Sequence, residues 1–199
     1  MKIPTLQLVD DNPELIQAWH LEFSKHEEVM VAKGDYFDFP ADCLVSPANS
    51  FGYMDGGIDR VIAYELGHDI EKRVQEAITE HFHGEMPVGC SIVLKTGHQR
   101  WPMLVVAPTM RLPQSIKGTI NAYLSFRSIL LTVSKYNLRN ANPIETLSCC
   151  GLGTGIGQLD PFVCAKQMRI AWDQVSSNGA VATPAEIHRQ YEELLNPKP

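Results

Sequence analysis

The 199-residue sequence predicts one α/β domain, a mixed and mainly parallel sheet of about six strands layered between helices as α/β/α. Three observations predict it. Short runs rich in β-branched and aliphatic residues alternate with longer segments whose apolar residues recur at threes and fours. Runs such as Cys43-Leu44-Val45 are apolar throughout, as strands covered on both faces require. A chain of this length with 44% hydrophobic and 20% charged residues can bury one real core. That composition excludes a disordered, collagen-like or coiled-coil chain.

Residues 6–9 read as the first strand. Pro13 then opens a helix expected over 14–25, with Asp10, Asp11 and Asn12 as cap candidates. Residues 29–32 form a second strand that stops at Gly34, and 42–46 a third. Over 59–82, Val61, Ile62, Leu66, Ile70, Val74, Ala77 and Ile78 make one helical stripe, broken at Gly67. Strands are expected at 91–94 and 103–107, a helix over 119–136, and a last strand at 146–150. That strand runs into a glycine-rich turn before a helix over 161–175. Residues 176–179 read as a hinge, and 184–195 as a charged terminal helix. The domain is therefore expected to span 1–178, with 179–199 a C-terminal extension.

Charge and cysteine usage remove several classes. With 17 Lys+Arg against 23 Asp+Glu the net charge is −6, which argues against general duplex nucleic-acid binding. It does not argue against a small anion held by backbone N–H groups. Apolar runs such as 103–107 fall far short of the roughly 20 residues of a membrane span, and Asp10 and Asp11 interrupt any signal sequence. The five cysteines are odd in number, two are adjacent, and none forms a C-x-x-C pair. A reduced, cytoplasmic protein without a disulfide framework or zinc knuckle is expected.

In open α/β sheets, ligands gather beyond the carboxyl ends of the strands. Four strand-exit loops meet there: Gly34-Asp35, 47–57, 108–113 and 151–157. The second contains Gly56-Gly57 just before a helix start, where backbone N–H groups and the helix dipole suit a phosphate. The last has glycines at 151, 153, 155 and 157 after a buried strand. It is neither a P-loop, lacking the Lys-Ser/Thr, nor a Rossmann fingerprint, since the spacing and place differ. Two phosphate-type loops at one sheet edge imply a ligand with two linked phosphates.

With these residues assembled, residues 42–67 resemble the signature of the macro domain family, the ADP-ribose-binding module. Ser46-Pro47-Ala48-Asn49 takes the place of N-A-A-N, Asp55-Gly56-Gly57-Ile58-Asp59 that of G-G-G-V-D, and Glu65-Leu66-Gly67 closes the following helix. Gly34-Asp35 resembles the upstream Gly-Asp pair, and 151–157 the second phosphate loop. The resemblance spans roughly 29–175 and implies roles residue by residue. Asp35, with Tyr36 beside it, would hold adenine, the carboxylate accepting its exocyclic amine. Ser46, Ala48 and Asn49 would line the first loop, with Asn49 on the distal ribose. Gly56, Gly57 and Ile58 would offer N–H groups to the diphosphate. Gly151, Gly153, Thr154, Gly155 and Ile156 would close over it. The implied ligand is ADP-ribose or an ADP-ribosylated macromolecule, with no cofactor or metal.

The departures bear on chemistry. Ser46 and Pro47 replace the first Asn and Ala, Asp55 replaces a Gly, and Ala63 stands where many members have His. Asn49, Asp55 and Asp59 remain as candidate catalytic residues, the carboxylates to act on a water attacking the anomeric carbon. Against this, Asp59 also suits a helix N-terminus and Asp55 a solvated turn. Hydrolysis of an ADP-ribosyl bond, by de-ADP-ribosylation or ADP-ribose 1''-phosphate processing, is one expectation. A non-catalytic reader is another, and a binder of NAD or an RNA end a third. Lesser candidates are His81, His83, His68 and His98, the Cys149-Cys150 pair, the cluster Phe51, Tyr53 and Met54, and Arg111 as a phosphate contact or surface ion pair. Nothing in the sequence fixes an oligomeric state.

Overall fold

A computed structural model describes residues 3–67, 69–177 and 182–196. His68 and the Asn178-Gly179 part of the expected hinge lie outside the described residues. Six strands form one sheet: β1 (Thr5–Asp10), β2 (Val29–Lys33), β3 (Cys43–Ser46), β4 (Ile92–Lys95), β5 (Met103–Val106) and β6 (Thr146–Cys149). Their order is β2-β1-β6-β3-β5-β4, all parallel except β4, which pairs antiparallel with β5 along the edge. Among the described residues six α-helices accompany them: α1 (Pro13–Glu22), α2 (Gly57–Leu66), α3 (Asp69–Phe82), α4 (Asn121–Arg139), α5 (Pro161–Ser176) and α6 (Pro184–Leu195).

The pleat sorts the strand residues into two cores. Leu6, Leu8, Cys43, Val45, Met103, Val105, Leu147 and Cys149 face one side, with α1, α4 and α5. Val9, Leu44, Leu104, Val106 and Cys150 face the other, with α2 and α3. Every residue of β3 and β5 is buried, as the unbroken apolar runs require. The order runs outward from β1 to β2 on one side and from β3 to β5 on the other, with β6 between. Topology therefore opens a crevice at the carboxyl ends of β1, β6 and β3.

Several boundaries differ from the sequence reading for visible reasons. The first helix stops at Glu22, not near Lys25, because the buried Phe23 caps it and the chain turns back toward β2. His26 N–H bonds Phe23 O, and Val29 N–H bonds His26 O. A 3₁₀ turn over Tyr36–Asp38 is unforeseen; the Asp35 carboxylate caps it by accepting from Phe37 N–H. Gly67, at φ 101°, supplies the break between α2 and α3. Helix α6 lies on α5, its capping box formed by Thr183 and Glu186. Its Leu194 is buried, Gln167 Nε2 donates to Leu194 O, and Glu193 pairs with Lys166 and Arg169. Among the described residues no helix is long and apolar enough to cross a membrane.

Candidate functional site

A cleft of about 730 Å³ opens at the carboxyl edge of the sheet, and all four glycine- and proline-bearing exit loops contribute to it. Asp10, the last residue of β1, ties the loops together from below. Its Oδ1 accepts from Asn12 N–H, and its Oδ2 accepts from Gly151 N–H 141 residues away. From the sequence Asp10 reads only as a cap candidate; it gains this role from the sheet order, which sets β1 beside β6.

Tyr36 lies under the cleft as a wedge. Strands β3 and β6 pair only through Cys43–Leu147 and Leu44–Ser148. Beyond that point the buried Tyr36 hydroxyl takes over, accepting from Val45 N–H at 2.9 Å and donating to Ser148 O at 2.6 Å. Burial pushes its pKa well above the ordinary value, so the phenol stays a donor.

The loop after β3 is fastened by its own side chains. Asn49 Nδ2 donates to Tyr53 O, and its Oδ1 accepts from Phe51 and Tyr53 N–H. Glu71 on α3 accepts Met54 N–H at 2.6 Å. Ala48, Asn49, Asp55, Gly56, Gly57, Ile58 and Asp59 all line the cleft. Ser46 does not: it is fully buried, and its Oγ donates to Asp59 Oδ1 at 2.6 Å. Asp59 is 8% exposed, and desolvation outweighs that hydrogen bond, raising its pKa from 3.8 to about 7. Asp55 lines the same cleft as an exposed side chain.

The glycines divide into two kinds. At Gly153 a Cβ would meet Ile116 Cδ1 at 2.3 Å, and φ is 75°, so packing alone explains the residue. At Gly155 φ is not positive and a Cβ would meet nothing within 4 Å. Gly56, at φ −144°, would meet only Ile156 Cδ1, at 3.7 Å. Neither glycine answers an internal demand, and both border the cleft. Ile156, half exposed, spans from one loop to the other, its Cδ1 3.6 Å from where a Gly57 Cβ would stand.

Asp35, Tyr36, Gly151, Gly153, Thr154, Gly155 and Ile156 also border the cleft. Of the lesser candidates, Tyr53 lines the cleft, whereas Met54 packs into the α2–α3 core. Arg111 forms a bidentate pair with Glu85 and lies over the Phe51 ring, outside the cleft. Cys149 and Cys150 are buried, and desolvation raises both thiols well above their ordinary pKa, unsuited to nucleophilic attack. His98 stacks on Trp101 away from the cleft. Among the described residues no three His, Cys, Asp or Glu side chains converge as a metal site, His81 and His83 included.

Comparisons with known proteins converge on one fold. The family model described as Macro domain matches residues 45–168. A protein of Aquifex aeolicus (strain VF5) is 28% identical over 141 residues, which is 71% of this chain and 78% of that protein. The macrodomain of Mycobacterium tuberculosis DarG superposes with a TM-score of 0.60 at 19% identity, over 72% of this chain and 89% of that one. Thermosipho africanus DarTG in complex with ADP-ribose gives 0.58 at 16% identity, over 82% of this chain and 44% of that one.

Proposed function

The chain belongs to the Macro domain family, and from that premise we propose that its cleft binds ADP-ribose or an ADP-ribose derivative. The observation that carries the reading is the pair Gly56 and Gly155. Both lack a side chain where no φ or packing inside the chain requires it, on two loops that border one cleft. Such glycines let backbone N–H groups approach a diphosphate closely. The start of α2 at Gly57 adds a helix-dipole contribution on one side. Asp35 would accept the adenine amine, and Asn49, Asp55 and Asp59 would surround the distal ribose. The T. africanus protein solved with ADP-ribose supports the ligand class.

Hydrolysis of an ADP-ribosyl bond is the further step in this reading. A water oxygen bonds to the anomeric carbon and its proton passes to Asp59 or Asp55. The bond to the acceptor breaks, and the acceptor takes up a proton. A carboxyl that titrates near 7 suits proton transfer at neutral pH. One observation favours a non-catalytic reader instead: both ends of the Asn49 amide are already used within its own loop.

Calorimetric titration with ADP-ribose tests the ligand. Micromolar or tighter binding, weakened by about 1 kcal/mol or more in Asp35→Ala, is expected. A protein that binds nothing at about 1 mM ligand ends the reading. Release of ADP-ribose from ADP-ribosylated protein, lost in Asp59→Asn with affinity retained, separates enzyme from reader.

A further inference from the structure

Among the described residues, the carboxylates of the cleft have no cationic counterpart. Asp10, Asp11, Asp35, Asp55 and Asp59 line it, and among the described residues no lysine, arginine or histidine does. Asp10 and Asp35 spend their charge on N–H groups of Asn12, Gly151 and Phe37. Asp55 is exposed and has no hydrogen bond or ion pair with another described residue. Arg60 lines an adjoining hollow that shares only Val61 with the cleft, and Glu71 faces that same hollow.

A diphosphate can be satisfied by the backbone donors of the two loops. A third phosphate cannot, if it must stand beside Asp55 and Asp59. Resting on the ligand orientation proposed above, we infer that the cleft accepts ADP-ribosyl groups whose anomeric substituent is uncharged or cationic and rejects a phosphate monoester there, with Asp55 as the specificity-determining residue. A monoester carries about −1.5 to −2 charge near neutral pH. At a separation of several ångströms from a carboxylate in a partly screened cleft, that repulsion weakens binding by roughly tenfold or more. Among the two hydrolytic reactions, this selects removal of ADP-ribose from a neutral or basic acceptor over processing of the 1''-phosphate.

The test is a pair of calorimetric titrations at pH 8 and low salt, with ADP-ribose and with ADP-ribose 1''-phosphate. The 1''-phosphate is expected to bind about tenfold or more weakly, with the ratio shrinking at high salt as the repulsion is screened. Asp55→Asn should narrow the ratio, and Asp55→Lys should bring it to one or invert it. Near-equal affinities in the unaltered protein overturn the inference. So does a large ratio that neither variant moves, since exclusion would then be steric. Absence of ADP-ribose binding itself is a separate failure: it ends the reading of the ligand, and the inference with it.

Discussion

Ser46 Oγ and Asp59 Oδ1 lie 2.6 Å apart, the serine behind the cleft wall and the acid in it, joining the end of β3 to the first turn of α2. The serine is fully buried and the carboxyl nearly so, and the hydroxyl donates. A carboxylate so placed has lost most of its hydration and gained one hydrogen bond in return, and its pKa of about 7 records the imbalance. Where the family pattern has an amide-bearing Asn, this chain has a hydroxyl of smaller reach, committed to its own acid.

Stability should therefore fall as the pH rises toward neutrality. The folded pKa of Asp59, about 7, lies above the ordinary 3.8 of the unfolded chain. Between these values the folded state binds a proton that the unfolded state does not, and each pH unit costs about 1.4 kcal/mol. Above 7 this contribution levels off. Asp59→Asn removes the slope, so its stability relative to the unaltered protein should rise by roughly 2–3 kcal/mol between pH 5 and pH 8. Denaturant titrations of both proteins at the two pH values measure it; parallel behaviour would refute it.

Ser46→Ala should move the same window upward. The serine bond is the influence that lowers the Asp59 pKa, and desolvation remains when it is removed. The falling limb of stability should then continue above pH 7. At pH 8 the variant should lose about 1–3 kcal/mol, the cost of leaving a buried group unpaired. A midpoint unchanged in the pH series would show that the hydroxyl does not act on the acid.

Tyr36→Phe should destabilise without emptying the core. The ring stays, but Val45 N–H and Ser148 C=O lose a buried partner where β3 and β6 no longer pair. A loss of about 1–3 kcal/mol is expected by chemical denaturation, against near zero for a surface tyrosine such as Tyr64.

The sequence displayed the layers and the glycine loops because periodicity and loop chemistry are local. The runs 42–46 and 103–107 read directly as strands, the first as covered on both faces, and Gly67 as the helix break. What it did not display are contacts that only the sheet order creates. Tyr36 meets Ser148 across 112 residues, and Asp10 meets Gly151 across 141. Ser46 reads as a ligand contact of the first loop, yet it lies behind the cleft wall and reaches it only through Asp59. The first helix ends at Glu22 and not near Lys25 because burial of Phe23 is a tertiary event that overrides the helical pattern.

Two glycines of one loop should answer mutation oppositely. Gly153 has φ 75°, and a methyl there would press on Ile116 at 2.3 Å, so Gly153→Ala should cost stability, about 1–3 kcal/mol. Gly155 has neither constraint, so Gly155→Val should leave the denaturation midpoint nearly unchanged. Its side chain would instead stand in the space a bound diphosphate needs, and ADP-ribose affinity should fall tenfold or more, about 1.4 kcal/mol. Melting curves and calorimetric titrations on both variants give the four numbers required. If Gly155→Val binds ADP-ribose as tightly as the unaltered protein, the open space at Gly155 is not the ligand's, and the diphosphate must lie elsewhere in the cleft.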